Sequence, residues 1–486
     1  MRWYSFIVVA GGLVGCGGKD VVEEGEGHEA MTQVSLAVAA TCGNGLVEEG
    51  ELCDSTAAVA CPSLSALYTA GQTVCASNCQ GYEVARDCTR KTGLVAETVR
   101  PGLRDSQRWG GAKCNDGSPF AFKFSPSPTG SKVWIINTQG GGYCDGFTNA
   151  CADRGPLLTS KGLPADRALS NGSAGSSGIL SRDPLENPTF ANANQASGHY
   201  CSSDLWTGTN PTPQPVDGGL KLYFNGRLNA RAMLEILRRD YGLDDRDPAV
   251  KVIWTGESAG GQGTQNNADQ LARAMPTARA GQRLWIIANA GWMPLNWNNP
   301  NYTQGGKGDP DPVVTERLLT LYRAEFSPEC RALAQAAGRP ASACFAGLPA
   351  MAAIHRPLSK GGLGLRLLAA TNRRDPVYTS HHGLTNMSAQ TNAAMQEWDD
   401  LMAREMRDSG VRWLFAPSDD PRVGSNKLHG LYDRWKVPFK SYNPANDVCD
   451  DPYTATDYQD MVTRFFEDPA PDTSHLKVCF SGEWLP

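Results

Sequence analysis

Ser258 lies in the run Val252-Ile-Trp-Thr-Gly256-Glu-Ser258-Ala-Gly260-Gly-Gln-Gly. An apolar, β-favouring stretch stops there at a turn of small residues, and a helix-compatible stretch follows to Pro276. This is the strand–turn–helix layout of a nucleophile elbow, in which a serine hydroxyl stands exposed at the apex of a sharp bend. The five-residue pattern Gly-x-Ser-x-Gly also occurs in ordinary turns. The flanking strand and helix are what favour the catalytic reading.

A serine hydroxyl is a weak nucleophile at neutral pH and needs a base, an orienter for the base, and donors for the oxyanion. Thr138-Gln-Gly140-Gly141-Gly142-Tyr143-Cys144 follows the apolar run Val133–Ile136 directly, and bare backbone there can approach a substrate oxygen. The N–H of Ala259, next to the nucleophile, is expected to supply a further donor. Of the seven histidines, His429 follows the apolar run Val411–Phe415 in a polar loop, the place for such a base. His475 is the alternative, near the C-terminus. Asp375 follows the run Leu365–Ala370, and Asp419 or Asp420 follows Val411–Phe415. Both choices keep the order Ser, Asp, His. Asp375 is preferred because a strand then separates acid from base.

These groups need a scaffold that holds distant segments together. Runs expected as buried strands are Val133–Ile136, Leu220–Phe224, Val252–Trp254, Leu284–Ile287 and Val411–Phe415. Helical stretches are expected at 228–239, 264–275 and 389–408. Strands alternating with helices imply an α/β fold with a mainly parallel sheet covered on both faces. Residues 154–198, rich in Gly, Ser, Asn and Pro, read as a long surface excursion.

The bulk numbers fit an enzyme of this kind. The chain has 486 residues, 41% hydrophobic and 20% charged, which suits a globular protein with more than one folded unit. A formal net charge of −6 without a long basic run argues against nucleic-acid binding. Met1-Arg2 precedes a short apolar stretch ending in Leu13-Val14-Gly15-Cys16, which resembles a bacterial lipobox. That resemblance implies a signal peptide over 1–15, lipidation of Cys16 and, with Gly17 following, an outer-membrane or cell-surface location. Setting Cys16 aside, the remaining cysteines are even in number, as a disulfide framework requires in an exported chain. Residues 16–41 read as a flexible tether. Residues 42–88 hold Cys42, Cys53, Cys61, Cys75, Cys79 and Cys88, a small module whose core needs crosslinks. Its opening resembles the Cys-rich repeats of exported bacterial proteins. Cys75 and Cys79 have the spacing of a metal pair but lack the partners of a zinc set, so disulfides are expected and no metal. Residues 90–486 form the enzyme domain.

Several segments together resemble the pectin acetylesterase/Notum family of serine carboxylesterases. They are Cys114-Asn-Asp-Gly-Ser-Pro, Gln139-Gly-Gly-Gly-Tyr-Cys144 with Cys151, Tyr200-Cys201-Ser-Ser-Asp204-Leu-Trp206, Gly256-Glu-Ser-Ala-Gly-Gly and Asn289-Ala-Gly291-Trp292. The resemblance implies an α/β-hydrolase-like fold, with Ser258 as nucleophile, Asp375 as acid and His429 as base. It further implies Gly141, Gly142 and Ala259 as oxyanion donors, and disulfides Cys114–Cys201 and Cys144–Cys151. Elimination and local spacing then leave Cys330–Cys344 and Cys449–Cys479. The sequence departs from the family at Gln139 (usually Glu), at Asn289 (usually Asp), and around Asp375 and His429, which lack a nearby Gln and Cys.

The expected activity is hydrolysis of O-acyl esters through an acyl-enzyme without any cofactor, with O-acetyl groups of a polysaccharide such as pectin as substrate. Competing readings are a long-chain or general carboxylesterase or lipase, and an inactive hydrolase-fold protein that binds a surface.

Overall fold

The computed structural model describes residues 41–146, 150–295, 297, 311–382, 384, 389–411, 413–415, 429, 438–443 and 448–468. The expected signal peptide, Cys16, His28, Asp419, Asp420, His475 and Cys479 lie outside them.

A nine-stranded sheet organises the enzyme region. From one edge its order is Trp413–Phe415, Arg366–Ala370, Leu284–Asn289, Lys251–Glu257, Val133–Thr138, Asn194–Gly198, Phe122–Ser125, Val95–Val99 and Leu169–Asn171. The first six run parallel, and the last three join antiparallel. The central parallel strands Val133–Thr138, Lys251–Glu257 and Leu284–Asn289 are largely apolar on both sides because successive side chains alternate between two covered faces. Val252 and Trp254 pack into one core with Trp134, Ile136 and Ile286, facing helix Gly226–Tyr241. Ile253, Ile135 and Ile287 pack into the other, capped by Met461, Phe465 and Phe466 of helix Tyr458–Glu467. Residues with alternate parity therefore hold helices on opposite faces, the expected α/β-hydrolase-like arrangement.

Helices appear at Gly226–Tyr241, Ala259–Ala274 and Ala389–Asp408, close to expectation. Two expectations fail. Leu220–Phe224 contributes only Lys221–Leu222 to a two-stranded hairpin with Gln214–Pro215. Leu222 and Phe224 are buried in the main core, but the Tyr223 N–H goes to the Asn115 carbonyl rather than to a sheet ladder. Burial, without a place in the nine-stranded sheet, accounts for that apolar run. Conversely, the supposed surface excursion 154–198 contains two sheet strands, one of them central. Asn194–Gly198 is buried throughout although its sequence is Asn-Gln-Ala-Ser-Gly. Two of its polar side chains find partners: Asn194 Nδ2 donates to the Ser131 carbonyl at 2.8 Å, and Asn137 Nδ2 donates to Ser197 Oγ at 3.0 Å.

The Cys-rich module forms a three-stranded antiparallel sheet closed by Cys42–Cys79, Cys53–Cys75 and Cys61–Cys88. Cys75 and Cys79 are thus in disulfides, not paired as metal ligands. The module sits on the end of helix Gly226–Tyr241. Tyr68 Oη donates to the Asp240 carbonyl at 2.9 Å, the Tyr82 N–H to the Arg239 carbonyl at 2.9 Å, and Arg238 Nη2 to Gln80 Oε1 at 2.9 Å. Cys114–Cys201, Cys144–Cys151 and Cys330–Cys344 are also formed. Cys449–Cys479 falls outside the described residues.

Candidate active site

Strand Lys251–Glu257 ends at Ser258, and helix Ala259–Ala274 begins at the next residue. Ser258 has φ 60° and ψ −125°, a conformation a non-glycine residue holds only when its surroundings enforce it. Here they do. The Ser258 N–H donates to the Asn289 carbonyl at 3.0 Å, and the Ser258 carbonyl accepts the Gln262 N–H at 3.0 Å. The glycines of the motif are steric requirements. A Cβ at Gly256 would meet the Gly260 carbonyl, one at Gly260 the Thr138 carbonyl, and one at Gly261 the Asn289 carbonyl. Adjacent strand ends crowd the turn so closely that only bare backbone fits.

The glycine run Gly140–Gly142 continues from strand Val133–Thr138 and lies against the elbow, where a Cβ at Gly140 would strike the Glu257 carbonyl. Gly141 and Gly142 have φ of 143° and 67°, open to glycine and costly for other residues. Arg154 fixes this loop from outside. Its guanidinium donates to the Gly141 carbonyl at 2.7 Å, the Tyr143 carbonyl at 3.3 Å and Ser203 Oγ at 2.6 Å. Trp206 Nε1 donates to the Gln139 carbonyl at 3.0 Å, and the Tyr200 N–H to Gln139 Oε1 at 3.3 Å.

Asp204 explains why the Tyr200–Trp206 motif holds its shape. It is fully buried and accepts from Ser202 Oγ at 2.7 Å, the Trp206 N–H at 3.1 Å and the Gly226 N–H at 2.7 Å. Burial raises its pKa to about 6 against those hydrogen bonds. Asp204 is therefore a bracket for Trp206, and Trp206 a bracket for the glycine loop.

Asp375 caps helix Pro376–His381, accepting the Val377 and Tyr378 N–H groups at 2.9 and 3.3 Å. His429 Nδ1 lies 2.8 Å from both carboxylate oxygens of Asp375. The acid is buried, with 1% of its side chain exposed, whereas His429 retains 24%. Burial acts to lower the His429 pKa, but the hydrogen bond and charge of Asp375, helped by Glu257, outweigh it and raise it above 6.5. Burial pushes Asp375 upward, against the lowering pull of His429 and its two backbone donors.

Ser258, His429, Gly141, Gly142 and Ala259 all line one cavity of about 580 Å³. Leu205, Met293, Pro294, Val377, Tyr378 and Trp398 give it a largely apolar wall. The expected site residues are thus brought together from four separate segments. Other histidines have structural tasks: His199 Nε2 bonds the Thr159 carbonyl at 2.9 Å, and His355 Nε2 the Ser409 carbonyl at 2.7 Å.

Sequence reasoning missed Arg154, Tyr378 and His382. Tyr378 donates to the Ala290 carbonyl at 2.8 Å and meets the His429 ring edge-on, centroids 5.9 Å apart. His382 packs against Trp398 and lines the cavity. For Tyr378 a signal existed. Asp-Pro is a helix start, so Asp375 and Tyr378 had to share the first turn.

Residues 97–305 match the family described as Pectinacetylesterase. The chain is 36% identical over 163 residues to the palmitoleoyl-protein carboxylesterase NOTUM of Drosophila melanogaster, covering 32% of this chain and 22% of that protein. It is 32% identical over 191 residues to pectin acetylesterase 5 of Arabidopsis thaliana, covering 39% of this chain and 42% of that protein. The alignments thus span less than half the length of these relatives. A crystal structure of the Wnt deacylase Notum from Drosophila superposes with a TM-score of 0.50 at 23% identity, covering 64% of this chain and 83% of that one. The chain is therefore similar through residues 97–305 to the pectinacetylesterase family, and it shares the α/β-hydrolase-like fold of Notum.

Proposed function

We propose that this chain is an exported serine carboxylesterase that hydrolyses O-acyl esters with Ser258 as nucleophile, His429 as base and Asp375 as its orienter. The observation that carries the reading is the pairing of His429 with buried Asp375 on the cavity that Ser258 also lines. With its proton on Nδ1 held by Asp375, the imidazole has Nε2 left to accept the Ser258 proton. Ser258 Oγ attacks the ester carbonyl carbon, and the oxyanion is received by N–H groups of Gly141, Gly142 and Ala259. Each well-placed donor contributes about 3–4 kcal/mol. The imidazolium then protonates the departing alkoxide, leaving an acyl-enzyme. Water, deprotonated by His429, releases the acid and restores Ser258.

O-acetyl groups of a polysaccharide such as pectin are the proposed substrate, in keeping with the family match. A longer acyl chain is the second reading, favoured by the volume and apolar wall of the cavity and by the name of the Drosophila relative. The six disulfides among the described residues are consistent with export. The lipobox-like segment ending at Cys16 supports a lipid anchor at the outer membrane or cell surface.

Fluorophosphonate labelling of the folded chain tests the activity. An adduct on Ser258, lost in Ser258→Ala together with turnover of aryl esters, is the expected result. An unlabelled Ser258 would leave a surface-binding protein instead. Rates on aryl esters from acetyl to palmitoyl then separate the two substrates: a maximum at acetyl supports the first, a maximum at long chains the second.

A further inference from the structure

Glu257, the residue before the nucleophile, lines the same cavity as Ser258 and His429. It sits at the end of strand Lys251–Glu257, directly opposite Asn289 at the end of the neighbouring parallel strand. Asn289 is fully buried, and its Nδ2 donates to Glu257 Oε2 at 3.0 Å. An aspartate at position 289 would set two carboxylates against each other at that distance, and one would have to take up a proton. An amide removes the conflict and supplies a donor. The asparagine that departs from the family pattern is thereby explained as the partner of a glutamate in the elbow.

Two elements thus bring acidic groups to the site of the His429 imidazole. Asp375 reaches Nδ1 from the start of helix Pro376–His381, and Glu257, at the strand end, lines the cavity that the ring also lines. Among the described residues, the other titratable groups of the cavity are Tyr378, whose hydroxyl burial keeps neutral, Tyr143 and His382. No lysine or arginine is among the described residues lining the cavity.

We propose that Glu257, held by Asn289, is a positioning residue that stabilises the charged imidazolium of His429 and so sets the pH at which the enzyme gains its base. The imidazolium arises in both halves of the reaction, as Ser258 and then water lose a proton, so a fixed negative charge beside it favours each step. The same charge keeps His429 protonated, and idle as a base, to a higher pH. This inference rests on the proposed roles of Ser258, His429 and Asp375.

The test is the pH profile of kcat/KM on p-nitrophenyl acetate for the wild type and Glu257→Gln, which keeps the shape and an acceptor for Asn289. The midpoint of the acidic limb should fall by about one pH unit, and kcat on the alkaline plateau should drop severalfold. Glu257→Asp, which retains the charge, should bring the midpoint back toward the wild-type value. If Glu257→Gln does not fold, Glu257→Ser gives the same reading. A loss of kcat/KM equal at every pH, with an unmoved midpoint, overturns the proposal. Turnover that survives His429→Ala would instead overturn the triad reading, whatever the midpoints.

Discussion

Trp206 donates its indole N–H to the carbonyl of Gln139 at 3.0 Å, so the Tyr200–Trp206 motif, which also lends Leu205 to the cavity wall, holds the backbone of the glycine loop in place. The Trp206 ring is stacked on Tyr200 at 5.4 Å and edge-on to Phe120 at 6.1 Å. Helix Ala259–Ala274 passes against it at Gly263, where a Cβ would clash with the ring. Three layers thus converge on the geometry of the proposed oxyanion donors.

Loosening this clamp should affect the transition state more than substrate binding. Arg154→Ala, which frees the Gly141 and Tyr143 carbonyls, is expected to lower kcat by about 10- to 100-fold with KM changed little. Trp206→Phe, which removes only the donor, should have a smaller effect of the same kind. Steady-state kinetics on a short aryl ester check both. A rise in KM at constant kcat would place Arg154 in substrate binding instead.

Asp375→Ala and His429→Ala should each reduce kcat at least about a thousandfold. Asp419→Ala should leave kcat unchanged. If Asp419→Ala is the damaging change and Asp375→Ala is tolerated, the acid must be reassigned.

As the proposed base, His429 works only when neutral, and its raised pKa shifts that state to higher pH. The acidic limb of kcat/KM should therefore turn over above 6.5, the ordinary value for histidine. The linked stability has the opposite trend. The Asp375–His429 pairing adds stability below the unfolded pKa and loses it as pH rises through the folded one. Kinetics and urea unfolding across pH 5–9 would detect the two trends.

Asp204→Asn should destabilise the fold by about 1–3 kcal/mol, because one carboxylate oxygen becomes an NH2 facing existing donors. Denaturant unfolding measures the loss. A neutral result would show that the loop between Tyr200 and Gly226 rearranges without cost.

Replacing Cys16 by Ser should move the protein from the membrane fraction to the soluble fraction of the producing cell. Retention in the membrane would count against lipidation.

What could be read from the sequence follows how local each signal is. The elbow was legible because strand, turn and helix are contiguous around Ser258. The place of Asp375 was legible because an apolar run precedes it, Cys114–Cys201 and Cys144–Cys151 because the resemblance implies them, and Cys330–Cys344 by elimination, whereas the pairing within 42–88 was not. Asn194–Gly198 was not, since polar side chains conceal a strand whose hydrogen-bond partners, Ser131 and Asn137, lie far off in sequence. Leu220–Phe224 misled in the opposite way, being apolar for burial rather than for pairing. Arg154 carried no signal at all. Its role exists only once the loop carbonyls of Gly141 and Tyr143 are folded toward it.

The crosslinks of the small module have a mechanical consequence. Tension entering at residue 42 crosses directly to residue 79 through a disulfide, so the 37-position stretch between them is shielded from stretching. The load then runs along a short segment toward strand Val95–Val99, near the antiparallel edge of the sheet and far from the strand that carries Ser258. A pull on the leading end of the chain would have to strip the module from helix Gly226–Tyr241 and peel that edge before it disturbed Ser258.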